Sequence, residues 1–354
     1  MQTEAAILVE LNAPLQLISL DIPPLKSGQV LIKVAYSGIC HTQINEIDGL
    51  KGKDPYLPHT LGHEGSGIDL KTGENVSKVK AGDRVVLTWI KGYGAEIPST
   101  QYSYLGKTVN SGAISTFMKT AIISENRLIK IPKVMPLKEA ALLGCAFPTG
   151  AGIINNTCKL EANSKIAIFG IGGIGLSAVM AASAFGAKVI IAIDINDSKL
   201  EYAKTLGATH TINANNFDII EEIKNITNNR LLDFAIEATG STDVMEKAYS
   251  SIKPFGGLCI IAGNASPKSK IKINPMDLIQ GKSIIGSWGG ETDSDKDILK
   301  YCDWHQSKKI SLSKLVSAEF PLHEINTAIS NLKAGINGRA LINMNSIENE
   351  VSKI

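Results

Sequence analysis

Residues 165–175 read KIAIFGIGGIG, a short strand-forming segment that runs directly into a glycine-rich turn. The residues after the turn are small and can form a closely packed helix. Gly170 allows the tight turn, and Gly175 lets the helix pack closely on the strand. Gly172, with Gly173 beside it, lets the backbone approach a pyrophosphate at the N-terminus of the helix. The segment therefore predicts the first strand, turn and helix of a dinucleotide-binding domain.

The next predicted strand supplies the residue that selects the dinucleotide. This strand, over 189–193, ends at Asp194, nineteen residues after Gly175, where a carboxylate can accept hydrogen bonds from the adenosine ribose hydroxyls. A 2′-phosphate would meet a like charge there, and no Arg stands beside Asp194 to offset it. The pattern predicts NAD as the cofactor. The alternative is a glycine-rich turn that binds nothing, with Asp194 serving only as a cap.

Outward from this segment the chain divides into two parts. From about residue 151, strand-like runs alternate with helical segments, which predicts a parallel, doubly wound Rossmann sheet. Its six strands are predicted over 165–169, 189–193, 210–212, 232–237, 258–262 and 283–286. The first 150 residues instead contain short apolar stretches broken by Gly and Pro, which predict a β-rich domain. Its strands are predicted over 30–36, 65–70, 84–88, 114–120 and 127–131, and a surface helix is predicted over 293–308.

Composition excludes several classes of function. The chain has 354 residues, 44% of them hydrophobic, and a formal charge of +2, as in a globular protein of about two domains. No run of like charges forms the basic stripe that nucleic-acid binding requires. The N-terminus does not resemble a signal peptide, and five glycines interrupt the uncharged run 166–187, so we expect a cytoplasmic protein without a membrane span. The five cysteines are scattered, and no disulfide framework is expected.

Three residues form a candidate metal-ligand set. Cys40 follows a predicted strand, His63 follows a loop, and Cys145 directly precedes the nucleotide-binding part. Two thiolates and one imidazole suit zinc and leave a fourth position open to water or substrate, as catalytic sites do. Taken singly, a buried Cys is usually a small hydrophobic residue and a lone His a hydrogen-bonded core residue. Spacing alone leaves both interpretations open.

Further motifs are spread along the whole chain. They are CHT at 40–42, LGHEGSG at 61–67, AGDRV at 81–85, LGC at 143–145, TG at 149–150, DIN at 194–196, DFAIEATG at 233–240, NPM at 274–276, WGG at 288–290 and GR at 338–339. In this order, and with the glycine-rich turn, they resemble the zinc-containing alcohol dehydrogenases of the medium-chain dehydrogenase/reductase superfamily. The resemblance implies an α/β protein with a β-rich GroES-like catalytic domain, residues 1–147 and 288–354, and an NAD-binding Rossmann domain, residues 148–287.

The resemblance also implies roles for individual residues around a metal. Cys40, His63 and Cys145 would hold a catalytic zinc ion. Glu64 would lie beside the ion as an exchangeable ligand or as a carboxylate behind the ligands. Thr42 would hydrogen-bond the substrate oxygen.

A second group of residues would contact the cofactor or line the pocket. The resemblance places His41 and Arg339 at the cofactor pyrophosphate. It places Thr149 on the nicotinamide side and Lys199 at the adenosine ribose. Trp89 stands where the family lines its substrate pocket with an aromatic side chain.

The sequence departs from the family at three places. No cysteine lies within 82–116, where the family binds a structural zinc ion, so one zinc per chain is expected. Gln43 replaces the usual Asp, which removes a charge partner for Arg339. Asn45 stands where many members have a relay histidine, and Asn cannot take up a proton near neutral pH. Water or His41 would have to replace it.

Three hypotheses remain open at this point. The first is an NAD- and zinc-dependent dehydrogenase that acts on a small alcohol or its aldehyde or ketone. The second is a zinc-free, NAD(P)H-dependent reductase of the same superfamily. The third is a non-catalytic NAD-binding protein, which has no need of three metal ligands together with Thr42. The resemblance further implies a homodimer or homotetramer joined through the nucleotide-binding domains.

Overall fold

The computed structural model describes residues 1–266, 268–335 and 339–344, which form two units. The first unit comprises Met1–Cys145 and the described residues from Asp293 onward, and the second comprises the described residues of Ala146–Thr292. The domain boundaries predicted after residues 147 and 287 stay predictions. Gly338, part of one family motif, lies outside the described residues.

The second unit contains a parallel sheet of six strands. Numbered along the chain, the strands lie in the order 3-2-1-4-5-6. They are Lys165–Phe169, Val189–Asp194, His210–Asn213, Phe234–Glu237, Leu258–Ile261 and Ser283–Gly286. The helical segments are Ala146–Gly152, Ile153–Thr157, Gly173–Ala184, Asp197–Thr205, Ile219–Thr227, Thr242–Ser251, Pro275–Ile279 and Gly289–Glu291. Because the winding direction changes beside the first strand, this is the doubly wound sheet that the sequence predicts, and the predicted α/β class is confirmed.

The uncharged run 166–187 is most of the first strand followed by the helix Gly173–Ala184. Most of its apolar side chains are buried, as expected for a strand covered on both faces and a helix packed against it. Among the described residues, no single helix is long and apolar enough to cross a membrane. Only two consecutive stretches taken together, Leu137–Gly144 and Ala146–Thr157, have the length and composition for it.

The first unit is built around two β-sheets. One has five strands, in spatial order His59–Thr60, Gln2–Leu8, Gln16–Asp21, Tyr102–Tyr104 and Lys107–Val109. The other has seven strands, in the order Leu128–Lys130, Arg84–Thr88, Glu64–Thr72, Gln29–Gly38, Arg339–Asn343 and Val316–Pro321, with Thr120–Ser124 also pairing with Gln29–Gly38. The helical segments are His41–Ile47, Glu125–Arg127, Leu137–Ala140, Ala141–Gly144, Ser294–Gln306, Leu312–Leu315, Leu322–Glu324 and Ile325–Lys333. Strands from late in the chain therefore complete a sheet begun near its start.

One predicted strand is wrong. The strand predicted over 114–120 begins only at Thr120, and the residues before it are bends and irregular backbone with an isolated bridge from Met118 to Ala5. The backbone N–H groups of Thr116 and Phe117 both donate to the carbonyl of Leu61 rather than to a regular strand ladder. The apolar side chains of this segment are buried in the core, so its composition reflects burial rather than a continuous strand. The other predicted strands agree with the structure to within two residues at each end.

Candidate metal centre and nucleotide-binding turn

The first unit brings Cys40, His63 and Cys145 together. Their ligand atoms, two sulfurs and an imidazole nitrogen, all lie within 4.8 Å of one another. The Nε2 atom of His63 lies 3.2 Å from Sγ of Cys145. Within the part of the chain that the structure describes, this is the one group of three or more such side chains able to share a metal ion. The donor set and its separations fit a tetrahedral zinc ion with one open position.

Three separate elements carry these side chains. Cys40 is the N-cap residue of the first helix, His63 directly precedes a strand of the seven-stranded sheet, and Cys145 follows a 3-10 turn that contacts this strand. The turn comes so close that a Cβ atom on Gly144 would lie 2.8 Å from the Cα atom of Glu64. Glycine at position 144 therefore lets Cys145 reach the cluster.

The two thiols of the cluster differ in acidity. A hydrogen bond from Cys145 lowers the pKa of Cys40 well below its ordinary value, against the opposing effect of burial. The same contact, together with burial, raises the pKa of Cys145. His63 and Arg339 also favour the charged form of Cys40. Cys40 is thus the first of the pair to ionise, and the thiolate is the form that binds a metal.

A buried ion pair lies next to the cluster. Glu64 is fully buried, and its carboxylate contacts the guanidinium group of Arg339, which is 5% exposed. A Cβ atom on Gly38 would lie 2.6 Å from the Glu64 carboxylate, so glycine on the intervening strand leaves room for the pair. The prediction that Arg339 lacks a charge partner because Gln43 replaces an Asp is wrong, since Glu64 is that partner. A role for Arg339 at a cofactor pyrophosphate stays a prediction.

Gln43 contacts two of the three candidate metal ligands. Its side chain is 1% exposed. Its Nε2 atom lies 2.5 Å from Nδ1 of His63, and its Oε1 atom accepts a 3.0 Å hydrogen bond from the N–H of Cys40. The sequence could have indicated the contact with the Cys40 N–H, because a Gln three residues after a helix N-cap commonly bonds the backbone of the cap residue. The contact with His63 joins segments that are distant in the sequence, and no local pattern indicates it.

Other residues predicted around the cluster lie near it. The hydroxyl of Thr42 is 3.7 Å from Sγ of Cys40. Trp89 is half-buried, and a hydrogen bond from its side chain partly offsets the rise in the pKa of Cys145. His41 is exposed in the first turn of the helix that Cys40 caps. Their roles toward substrate and cofactor stay predictions.

A cavity of about 520 Å³ reaches His63 and Gln43. Its wall is drawn mostly from residues 51–63 and is rich in charged side chains, including an ion pair of 2.7 Å between Lys51 and Glu46. The cavity lies beside the three candidate metal ligands, on the side where His63 and Gln43 are in contact. No sequence pattern indicates this cavity, because its walls come mostly from loops.

In the second unit, the glycines of the turn 170–175 meet different requirements. Gly170 has a φ angle of +92°, which side chains rarely tolerate. A Cβ atom on Gly175 would lie 2.0 Å from the carbonyl oxygen of Gly170, so the close packing depends on glycine there. A Cβ atom on Gly172 would meet nothing within 4 Å. The backbone at Gly172 thus faces open space at the N-terminus of helix Gly173–Ala184, where an anion such as a pyrophosphate fits.

Asp194 ends the second strand beside this turn. Its Oδ2 atom accepts a 2.8 Å hydrogen bond from the N–H of Ile171, and its Oδ1 atom accepts from Ile195 at 2.8 Å and Asn196 at 3.1 Å. Three backbone donors leave lone pairs on the two oxygens for further donors. The helix that follows is capped by Asn196. Asp194 therefore ties the second strand to the glycine-rich turn, which is more than a helix cap does.

Two more residues predicted to contact the cofactor lie in helices of this unit. Lys199 is half-buried in the first turn of the helix after the second strand. Thr149 is buried in helix Ala146–Gly152. A Cβ atom on Gly150 would lie 2.4 Å from the carbonyl oxygen of Ile174, so this helix packs directly on the helix that follows the turn. Contact of either side chain with a cofactor stays a prediction.

Comparison with known proteins gives consistent matches over the chain. The family described as "Alcohol dehydrogenase GroES-like domain" matches residues 26–133, and "Zinc-binding dehydrogenase" matches residues 173–304. Alcohol dehydrogenase 6 of Peromyscus maniculatus is 32% identical over 360 residues, which cover 95% of this chain and 96% of that protein.

Solved structures extend the similarity to the fold. An alcohol dehydrogenase zinc-binding domain protein from Burkholderia ambifaria has a TM-score of 0.91 at 31% identity and covers 98% of this chain and 99% of its own. Benzyl alcohol dehydrogenase from Acinetobacter calcoaceticus has a TM-score of 0.88 at 31% identity, with 98% and 100% covered. The GroES-like and Rossmann domains predicted from the motifs are confirmed.

Proposed function

The chain belongs to the zinc-type medium-chain dehydrogenase/reductase family of oxidoreductases, and we propose that it transfers a hydride between NAD(H) and a small alcohol and its aldehyde or ketone, with one catalytic zinc ion per chain. The observation that carries the proposal is the convergence of Cys40, His63 and Cys145, whose ligand atoms lie within 4.8 Å of one another.

The residues at this cluster fit the metal and the reaction. Cys40, His63 and Cys145 would hold zinc and leave one position open. When bound, zinc supplies Lewis-acid polarisation of an alcohol or carbonyl oxygen. Thr42, 3.7 Å from the Cys40 sulfur, would hydrogen-bond the substrate oxygen, and Trp89 would wall the pocket and help to exclude water.

Proton release would begin at the hydroxyl of Thr42. Asn45 lies one turn further along the helix His41–Ile47 and on the same face, because residues three apart on a helix are neighbours. Its amide cannot take up a proton near neutral pH. Water or His41 would therefore complete the path to solvent.

The nucleotide-binding turn fits NAD. The open space at Gly172 would take the pyrophosphate, and the remaining lone pairs of Asp194 would accept hydrogen bonds from the adenosine ribose hydroxyls. A 2′-phosphate would be repelled by the Asp194 carboxylate. The hydride chemistry itself belongs to the cofactor, and the chain contributes binding and orientation.

The second unit has an apolar edge suited to self-association. Its strand Ser283–Gly286 ends the sheet, and nearby Ile279, Ile285 and Trp288 are 77%, 40% and 80% exposed. An unpaired strand edge with apolar side chains favours pairing with another chain. A homodimer or homotetramer is therefore proposed, and the molar mass from light scattering tests it.

Metal analysis and a substrate panel with NAD and NADP test the proposed function. We expect about one zinc per chain and turnover of alcohols with NAD. Cys145→Ser should lose more activity than the roughly 10- to 100-fold typical of removing a group behind a metal ligand, because a hydroxyl replaces a thiolate poorly. The matched control is Cys302→Ser, a buried cysteine in helix Ser294–Gln306, which should retain both zinc and activity.

The same experiment separates the competing functions. Turnover by metal-free protein would favour a zinc-free reductase of the family. NAD binding without turnover of any alcohol, aldehyde or sugar would favour a non-catalytic protein. About two zinc ions per chain, or a fully active Cys145→Ser, would refute the assigned metal site.

A further inference from the structure

The side chain of Gln43 lies between the backbone N–H of Cys40 and the imidazole ring of His63, two of the three candidate metal ligands. Its Oε1 atom accepts from the N–H of Cys40 at 3.0 Å, and its Nε2 atom lies 2.5 Å from Nδ1 of His63. The other ring nitrogen of His63, Nε2, faces Sγ of Cys145 at 3.2 Å. Gln43 is 1% exposed, and both ends of its amide have protein partners. The amide is therefore held by specific partners at both ends.

These contacts define one tautomer of His63. An amide nitrogen only donates, so Nδ1 of His63 must accept from Gln43. A neutral imidazole carries one proton, which then lies on Nε2, the atom that faces Cys145. In this arrangement the Gln43 oxygen faces a donor and the NH₂ group faces an acceptor.

Metal binding reverses the requirement at His63. The ring must offer the lone pair of Nε2 to a metal shared with the two cysteines, so its proton must lie on Nδ1. Two donors, the Cys40 N–H and the His63 Nδ1–H, then converge on a side chain that has one acceptor atom. Whichever way the Gln43 amide turns, its NH₂ group faces a donor.

We propose that Gln43 is a positioning residue that makes zinc binding depend on reversal of its amide and holds zinc affinity below the value that a carboxylate at this position would give. The inference rests on the proposed zinc site. We expect Gln43 to disfavour the metal-bound state and to stabilise the metal-free state, in which its oxygen and its NH₂ group each have a complementary partner.

Glu is the substitution that isolates this effect, because it has nearly the same shape as Gln and two acceptor oxygens. In Gln43→Glu, one oxygen can accept from Cys40 and the other from Nδ1–H of His63. Carboxylates behind metal-ligating histidines typically change metal affinity by about 10- to 100-fold. Zinc affinity should therefore rise by about that factor, while the metal-free variant, with a buried carboxylate and no metal, should melt at or below the wild-type temperature.

Competition between the full-length chain and a chromophoric zinc chelator measures this affinity. The matched control is Gln29→Glu, because Gln29 lies in the same unit, is 3% exposed and bonds Lys26 and Thr100. We expect tighter zinc binding in Gln43→Glu only. A purely structural role for Gln43 would change metal-free stability and zinc affinity in the same direction. Equal or weaker zinc binding by Gln43→Glu, with wild type binding zinc, overturns the inference.

A second measurement on the wild-type chain does not depend on the folding of a variant. In protein labelled with ¹⁵N at histidine, the ring-nitrogen shifts of His63 should report Nε2–H in the metal-free chain and Nδ1–H after zinc addition. Nδ1–H already present in the metal-free chain overturns the inference, because Gln43 would then offer its oxygen to His63 from the start. If no zinc binds to wild type or to Gln43→Glu, the zinc-dependent function itself is refuted, and the inference with it.

Discussion

Replacing Glu125 by Gln should destabilise the first unit by about 2–3 kcal/mol at neutral pH. The buried carboxylate accepts hydrogen bonds from the N–H groups of Ser77 at 2.6 Å, Lys78 at 2.7 Å and Ala95 at 2.9 Å. It thereby fastens the segment around Ala95, where zinc-containing alcohol dehydrogenases resembling this chain bind a structural zinc ion, to the body of the unit. The carboxylate therefore holds this loop through three backbone hydrogen bonds.

The magnitude follows from the three donors. A Gln amide can keep its oxygen toward Ser77 and Lys78, but its NH₂ group then faces the N–H of Ala95. Because Ala95 is half-buried, leaving that N–H unpaired costs about 1 kcal/mol, the low end for such groups. The two remaining bonds lose their charge and weaken by about 0.5–1 kcal/mol each. For a unit of this size, the melting temperature should fall by about 4–12 °C.

The pH dependence of the effect has a definite sign. Burial by itself raises the pKa of the Glu125 carboxyl, but the donors from Ala95, Ser77 and Lys78 outweigh it and lower the pKa below its ordinary value. Such a group contributes stability that is fully present above the unfolded value of about 4.3 and is lost as pH falls through the lower folded value. The difference between wild type and Glu125→Gln should therefore be constant near neutral pH and shrink below about pH 4.5.

Thermal unfolding followed by circular dichroism at pH 7 and at pH 4 measures both effects. Glu4→Gln is the matched control, because Glu4 lies in the same unit but is 40% exposed and pairs at 3.1 Å with Lys119, which is 36% exposed. Exposed pairs contribute little, so this variant should melt close to the wild type. A melting temperature of Glu125→Gln within about 1 °C of wild type at pH 7, or equal effects of the two substitutions, would refute the reasoning.

Two further predictions concern the cofactor and the proton path. The wild type should prefer NAD to NADP by at least about tenfold in kcat/KM, because roughly 1.4 kcal/mol of repulsion between Asp194 and a 2′-phosphate gives that factor. Asp194→Ser should narrow this preference. Equal use of both cofactors by the wild type would contradict the role proposed for Asp194. Asn45→His should raise alcohol oxidation near pH 7 by about a few-fold and flatten its pH dependence, because an imidazole with a pKa near 6.5 can accept the proton. If a deuterated substrate shows that hydride transfer is rate-limiting and the two pH profiles still coincide, position 45 is not on the proton path.

The parts of the fold that could be predicted depend on local sequence. The turn 170–175 needs glycine for reasons set within a few residues, a positive φ angle at Gly170 and a close approach at Gly175, so its pattern was sufficient. The strands of the parallel sheet are buried and read as continuous apolar runs. The segment 114–120 is equally apolar, but it owes its burial to partners distant in the sequence, such as Leu61. Composition could not distinguish a buried loop from a strand there.

Contacts in the candidate site also join residues that are distant in the sequence, and local patterns do not predict them. The family resemblance of the motifs implies Cys40, His63 and Cys145 as a set, and the structure brings their ligand atoms within 4.8 Å of one another. The motifs do not show that Glu64 pairs with Arg339, since that contact spans a sheet whose strands come from both ends of the chain.

The sequence shows that Gln43 stands where the resembling family has Asp, and the missing charge predicts a loss of ion pairing for Arg339. The sequence does not show which residues the Gln43 side chain contacts. The structure gives Arg339 another partner and turns Gln43 toward Nδ1 of His63 and the N–H of Cys40. If a metal binds as proposed, two donors face the one acceptor atom of Gln43, so we expect the consequence of Gln43 to fall on metal affinity. Family membership implies the candidate ligands Cys40, His63 and Cys145, whereas the contact of Gln43 with His63, on which we expect zinc affinity to depend, joins segments that are distant in the sequence.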